Sequence, residues 1–168
     1  MSPTSTRPST TVTGSSANAT PTPTATAQGL PKANPCATIG LTAAQMSSIS
    51  GLAVINRQSK GFACSFTGVF DSMGRGDSVS LQQIAHAGAA DTYVRNVFPS
   101  FAVAGTCIWD DAPHTRFHCA QGSPQLPVFV GTVVSAGSGH LWESVTNTVT
   151  AAKRDAAVAA IETYTTTH

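Results

Sequence analysis

The chain has 168 residues and a net charge of +1, and only 10% of its residues are charged, against about 25% in an average soluble domain. Binding to nucleic acid or to an anionic membrane surface requires clustered cations, whereas the lysines and arginines of this chain are scattered. The sequence therefore argues against both functions. No run of about 20 apolar residues could span a bilayer, and the N-terminus lacks the basic and apolar regions of a signal peptide.

The first segment, residues 1–32, consists up to Gln28 almost entirely of Ser, Thr, Pro, Ala, Gly and Asn. It cannot bury enough apolar surface to offset the conformational entropy that is lost on folding, so it is predicted to be a disordered tether. Residues 33–168 are predicted to form one domain, since their number is usual for a single hydrophobic core.

A short helix is predicted soon after the tether, in the segment LTAAQM. Thr42 is a good N-cap, and Gln45 three residues later completes a capping box. Gly51 suits the left-handed position that ends such a helix.

Strands are predicted next, at 52–56 and 62–68, with the polar segment RQSKG as the hairpin loop between them. In the second of these strands, Phe62, Cys64 and Phe66 alternate with small or polar residues, which is typical of a half-buried strand.

The middle of the chain is predicted to form a turn, a strand and a helix. A turn at 71–77 leads into a strand at 78–85. Residues 87–98 are predicted to be a helix, which Pro99 is expected to end.

The last third is predicted to add a hairpin, a strand and a helix. Strands at 101–109 and 116–122 flank an Asp-Asp-Ala-Pro turn, and the Val- and Phe-rich segment 126–135 is predicted to be a central strand. Residues 144–164 are predicted to be an amphipathic helix. The short strand connections favour an α+β domain, in which helices pack on one face of an antiparallel sheet.

The cysteines are four in number: Cys36, Cys64, Cys107 and Cys119. An even number in a charge-poor domain behind a Ser/Thr/Pro-rich tether favours a disulfide framework and an oxidising, extracytoplasmic compartment. Of the three pairings, we expect Cys36–Cys64, which ties the start of the domain to a strand, and Cys107–Cys119, which cross-links the hairpin.

Two alternatives to the disulfides stay open. Cys107, His114, His118 and Cys119 supply ligands of the type that zinc takes, although His118 and Cys119, as neighbours in a strand, would point to opposite faces. In the second alternative, all four thiols are free and buried in a cytosolic protein.

Catalytic patterns are weak. The segment SAGSGH at 135–140 is not a nucleophile elbow, and eight acidic residues in total make paired catalytic carboxylates scarce. We therefore assign no catalytic residue, no cofactor and no metal. The side chains that could face a ligand are aromatic, acidic or imidazole groups of the hairpin and of the segment before the last helix: Trp109, Asp110, His114, His118, His140 and Trp142.

A family resemblance rests on four segments: NPCATIGLTAAQM, GFACSFTG, FPSFAVAG and RFHCAQGSPQLPVFVG. They resemble actinobacterial cell-envelope lipoproteins of unknown function, in which a lipid-anchored cysteine and a Ser/Thr/Pro-rich tether precede an Asp-Pro-Cys motif. Here Asn34 replaces the aspartate, and the fourth cysteine, which often precedes the last helix in the family, is absent from that position. The resemblance implies an envelope location, with a signal and a lipid anchor encoded upstream of Met1; the alternative is a member of the family that has lost its export signal.

We expect the chain to be a non-enzymatic domain that binds a ligand or partner at the cell envelope. Its partner would be an envelope protein or a small ligand, and it would meet the membrane only through the upstream anchor. The alternative is a small envelope hydrolase. A deep pocket with converging His and Asp side chains would favour the hydrolase, whereas a shallow apolar cleft between sheet and helix would favour binding.

Overall fold

A computed structural model of the protein describes residues 34–85, 89–102, 106–122, 128–137 and 139–168. Within them the chain forms four helices and seven strands: α1 (Pro35–Ile39), α2 (Ala43–Ser50), β1 (Asn56–Lys60), β2 (Ala63–Thr67), β3 (Ser78–Ile84), α3 (Ala90–Ala102), β4 (Thr106–Trp109), β5 (Arg116–Gly122), β6 (Phe129–Ala136), β7 (Leu141–Thr148) and α4 (Ala151–Thr167). The predicted boundary between tether and domain, at 32/33, lies outside the described residues and stays a prediction.

The strands form one antiparallel sheet in the order β1-β2-β3-β7-β6-β5-β4. The predicted antiparallel α+β fold is therefore confirmed. Helices α1, α2 and α4 pack on one face of the sheet, but α3 covers part of the opposite face, so the prediction that the helices share one face is wrong for α3. None of the described helices is both long enough and apolar enough to cross a membrane.

The start of the domain follows its capping signals. Asn34 caps α1, a one-turn helix that the sequence analysis missed, by accepting a hydrogen bond from the Ala37 N–H. In α2, the capping box of Thr42 and Gln45 is confirmed, and Gly51 ends the helix at φ 68°.

The first hairpin is shifted from its predicted position. Leu52 and Val54 are buried but lie before the strand, and β1 consists of exposed residues that, apart from Asn56, were predicted to be the loop. The carboxylate of Asp77 accepts a hydrogen bond from the Ala53 N–H at 3.0 Å, which holds this segment outside the ladder. Strands β2 and β3 lie within their predicted ranges.

Helix α3 continues through Pro99, where it was predicted to end. A proline within a helix removes one backbone hydrogen bond. Phe98 and Phe101, on either side of it, pack on the buried ring of Phe117, with ring centroids 5.0 and 5.7 Å apart. This aromatic packing offsets the lost hydrogen bond.

The predicted helix 144–164 is wrong in its first part. Residues up to Thr148 form β7, the central strand, in which Ser144 and Thr146 are buried and alternate with half-buried neighbours. The hydroxyl of Thr150 then caps α4 by accepting a hydrogen bond from the Lys153 N–H. The helix therefore begins seven residues later than predicted.

Both predicted disulfides are present. The Cα atoms of Cys36 and Cys64 lie 4.6 Å apart, and those of Cys107 and Cys119 lie 4.0 Å apart. All four cysteines are bonded in these pairs, so the two alternatives, a zinc site built on Cys107 and Cys119 and four free thiols, are wrong.

Candidate functional site

The β4–β5 hairpin brings two of the predicted residues together. The backbone N–H of Asp110, directly after β4, donates a hydrogen bond to the carbonyl of Arg116 at 3.2 Å, which places Asp110 beside β5. Oδ1 of Asp110 then lies 2.7 Å from Nδ1 of His118. Because side chains alternate along a strand, Arg116 and His118 point to the α4 face, whereas Phe117 and Cys119 pack with α3 on the other.

Helix α4 adds a second carboxylate to this pair. Nε of Arg116 lies 2.9 Å from Oε1 of Glu162 and forms an ion pair without hydrogen-bond geometry. One ligand atom from each of Asp110, His118 and Glu162 lies within 4.8 Å of the other two. These four residues are called the carboxylate cluster below.

The carboxylate cluster is largely shielded from water. The side chains of Asp110 and Glu162 are 14% and 16% exposed, whereas those of His118 and Arg116 are 29% and 37% exposed, so solvent reaches the cluster from the side of the histidine and the arginine. Oδ2 of Asp110 and Oε1 of Glu162 are buried and have no hydrogen-bond partner among the described residues.

Glu162 carries the largest electrostatic perturbation of the cluster. Burial, together with the nearby Asp110 carboxyl, raises the pKa of Glu162 to about 7, against the opposing charges of Arg116 and His118. Near neutral pH, Glu162 is therefore protonated in a large fraction of molecules. A carboxylic acid next to a carboxylate can donate a proton, which ordinary surface glutamates cannot do at this pH.

Two other predicted residues, Trp109 and His114, belong to an aromatic stack away from the cluster. The Trp109 ring stacks on Phe98 and His114, with centroid distances of 4.3 and 4.4 Å. Trp109 also packs with Phe117 in the core beneath α3. The structure therefore places these two side chains in the packing of the hairpin.

The last two predicted residues, His140 and Trp142, lie at the turn before β7 and in β7. Trp142 is buried, and its ring meets that of Tyr164 edge-on at 6.2 Å. His140 is exposed, and its carbonyl accepts a hydrogen bond from the Gly137 N–H at 2.8 Å. Of the six predicted ligand-facing residues, only Asp110 and His118 contact each other within the carboxylate cluster.

A second feature is an apolar groove of about 410 Å³, where the β2–β3 connection meets the start of α4. Its apolar lining includes Val69, Ile55 and Phe70, which are 76%, 64% and 45% exposed. Val149, just before α4, completes this lining. A contiguous exposed apolar patch is uncommon on a soluble domain and usually marks an interaction site.

The base of the groove carries a charged pair. The buried carboxylate of Asp77 accepts hydrogen bonds from the Ala53 N–H at 3.0 Å and the Thr148 hydroxyl at 2.7 Å, and Nζ of Lys153 lies 3.5 Å away. Burial alone would raise the pKa of Asp77, but these hydrogen bonds and the lysine hold it below its ordinary value. Asp77 thus stays ionised and fixes the start of α4 against the sheet.

Arg116 and Glu162 in the carboxylate cluster, and Val69 and Phe70 in the groove, were not among the predicted site residues. Arg116 was identifiable because it lies two residues before His118 in a predicted strand and so shares its face. Glu162 follows Ile161 of the buried helical stripe, where a carboxylate is uncommon. In the groove, Val69 and Phe70 stood out as apolar residues next to a Gly- and Asp-rich turn.

A smaller cleft of about 280 Å³ lies between α1 and β3, with the exposed Phe62 at its edge. This cleft is a second surface depression of the described residues, smaller than the groove beside α4. Comparison of the chain with protein-family models, with curated proteins and with solved structures finds no match.

Proposed function

We propose that this chain is a non-enzymatic binding domain of the cell envelope, and that it holds an apolar group of a ligand or partner in the groove beside α4. The observation that carries the proposal is the contiguous exposed lining of that groove by Ile55, Val69 and Phe70. The anchor would be a lipid attached upstream of Met1, as in the actinobacterial lipoproteins that the chain resembles.

The groove has the properties of a binding surface. Its volume of about 410 Å³ falls in the range of roughly 300–1,000 Å³ that is usual for small-molecule sites. An apolar group that covers the exposed lining would be stabilised by about 25 cal/mol for each Å² of apolar surface removed from water. The charged pair of Asp77 and Lys153 would orient polar atoms at the base.

The two disulfides support a location outside the cytoplasm. Disulfides persist in oxidising compartments and are rare where thiol-reducing systems operate. Cys36–Cys64 joins the first helix of the domain to β2, close to where the predicted tether ends. A domain on a tether in an oxidising space would reach partners in the envelope while its fold stays covalently closed.

The test is site-specific photo-cross-linking in cells that produce the full chain. A photoreactive amino acid replaces Val69 in the groove or, as a matched control, Ile108, which is 53% exposed on the edge strand β4. We expect a defined adduct from position 69, absent from position 108 and lost when Phe70→Asp is added. Equal adducts at both positions, or none at either, would contradict the proposal, and the adduct mass separates a small ligand from a protein.

The alternative, a small envelope hydrolase, is favoured by one observation. Asp110 and Glu162 combine a carboxylate with a carboxylic acid whose pKa is about 7, and general acid–base catalysis needs such a pair. This alternative predicts hydrolysis of ester, amide or glycoside model substrates by the full chain, with loss of activity in Glu162→Gln. Equal rates in the two proteins, or none above buffer, would count against it.

A further inference from the structure

The carboxylate cluster gathers metal-binding groups from three separate elements. Asp110 follows β4, His118 lies in β5 and Glu162 lies in α4, and one ligand atom of each lies within 4.8 Å of the other two. Cys107–Cys119 cross-links the strands that carry the first two, and the packing of α4 on the sheet fixes the third. The three side chains are therefore held together before any ion arrives.

Two carboxylate oxygen atoms of the cluster lack a hydrogen-bond donor among the described residues. Oδ2 of Asp110 and Oε1 of Glu162 are buried and have no hydrogen-bond donor among the described residues, and the Arg116 contact lacks hydrogen-bond alignment. A buried carboxylate oxygen that is not hydrogen-bonded costs free energy. A cation bound between the two carboxylates would satisfy both.

The donor set selects the class of cation. One imidazole nitrogen and two carboxylate oxygens are typical ligands of zinc, and three protein ligands leave a fourth tetrahedral position open. Calcium and magnesium instead take six or more oxygen ligands, which three side chains with one imidazole do not provide. Binding of the ion would displace the proton that Glu162 carries, and the two carboxylates then outnumber the Arg116 guanidinium, which favours a divalent cation.

We propose that Asp110, His118 and Glu162 bind a divalent transition-metal ion of the zinc type, and that Arg116, which contacts the Glu162 carboxylate, orients it towards the ion. Ligand atoms around a tetrahedral zinc ion lie about 3.3 Å apart, because zinc–ligand distances are about 2.0–2.1 Å. The Asp110–His118 contact of 2.7 Å opens slightly, and the widest separation closes from at most 4.8 Å. Side-chain rotations supply both changes.

The exposure of His118 gives the ion a route into the cluster. Its side chain is 29% exposed, whereas those of the two carboxylates are about half as accessible. The site is separate from the apolar groove, so failure of either proposal leaves the other standing.

The test is titration of the full chain with Co²⁺, followed by visible absorption, and with Zn²⁺, followed by calorimetry. We expect one ion per chain and a tetrahedral cobalt spectrum, and no comparable binding of Mg²⁺ or Ca²⁺. Arg116→Gln should weaken binding by roughly 10- to 100-fold, which is the usual effect of losing a residue that orients a metal ligand. Glu162→Gln and His118→Ala, which remove a ligand, should each weaken it by more.

The matched control is His140→Ala, which removes an exposed histidine outside the cluster and should leave the affinity unchanged. Thermal unfolding of each variant identifies any that fails to fold. As a second readout on the unaltered chain, Zn²⁺ should shift the imidazole NMR signals of His118 and leave those of His140 in place. Equal affinities in Glu162→Gln and the parent chain, or no shift at His118, would overturn the proposal.

Discussion

The Cys36–Cys64 disulfide provides the most direct test of how this domain is stabilised. Replacing both cysteines by alanine opens a loop whose ends are 28 residues apart in sequence. On the chain-entropy model, the disulfide contributes about 3.6 kcal/mol to the free energy of unfolding. Cys64 is fully buried, so loss of its sulfur atom also removes packing against the core of the α1 and α2 face.

The assay is urea and thermal unfolding of the double variant beside the parent chain. For a domain of this size, each kcal/mol corresponds to roughly 3–5 °C, so we expect the melting temperature to fall by about 10–18 °C. Cys107→Ala/Cys119→Ala, whose residues are separated by only 12 positions, should lose about 2.9 kcal/mol. The variant that opens the longer loop should thus be the less stable of the two.

Two results would refute this reasoning. One is an unchanged midpoint of unfolding in Cys36→Ala/Cys64→Ala, which would mean that the covalent link adds nothing to stability. The other is alkylation of all four cysteines in the folded, non-reduced chain, detected by mass spectrometry. That result would also remove the support that the disulfides give to an extracytoplasmic location.

The remaining predictions concern single residues, each followed by unfolding. Asp77→Asn should destabilise the domain by about 1–2 kcal/mol at pH 7, because Asp77 is buried and hydrogen-bonded as a carboxylate. Since the folded state lowers the pKa of Asp77, the stability that its carboxylate contributes is present above about pH 4 and should disappear as the pH falls below that value. If the parent chain and Asp77→Asn differ in stability by the same amount at every pH, the ionised carboxylate is not the cause. Thr42→Ala should cost about 1 kcal/mol by removing the α2 cap, whereas an unchanged stability would show that the cap is dispensable. Gly131→Ala should cost about 1–3 kcal/mol, since the new Cβ would lie 2.4 Å from Cγ2 of Val158, and a stability equal to the parent would mean that α4 moves freely.

Local chemistry made part of the fold predictable. The capping box of α2 needs only Thr42 and Gln45 at the correct spacing, and β5 follows from strict alternation between two turns. The Cys107–Cys119 pair followed from the hairpin, because the two residues lie opposite each other in the register. These features depend on neighbours in sequence and not on the rest of the fold.

Elsewhere, the spacing of residues fitted a helix and a strand equally well, and tertiary contacts decided between them. In β7, Val145 lies at helical spacing from later apolar residues, yet Ser144 and Thr146 also alternate as in a strand. The sheet resolves the ambiguity, since β3 and β6 pair with the two sides of this segment. The pairing with β3, which lies far earlier in the chain, leaves no local signal.

The residues of the candidate sites likewise fall into those that local sequence identifies and those that only tertiary packing brings together. Asp110 and His118 were identified because a single hairpin contains both. Glu162 was not, because only the packing of α4 on the sheet brings it to them. The groove was missed because exposure of Val69 and Phe70 depends on where the neighbouring elements end, which spacing does not reveal.

Helix α4 links the two proposed sites mechanically. Lys153 lies at the groove and Glu162 in the carboxylate cluster, about 14 Å further along the helix axis at 1.5 Å per residue. Between them, Val158 packs over Gly131, where the strand has no side chain to keep the helix away. Gly131→Ala should therefore displace α4 and weaken both Co²⁺ binding and cross-linking from position 69. Loss of one with full retention of the other would show that each site is positioned independently of the helix.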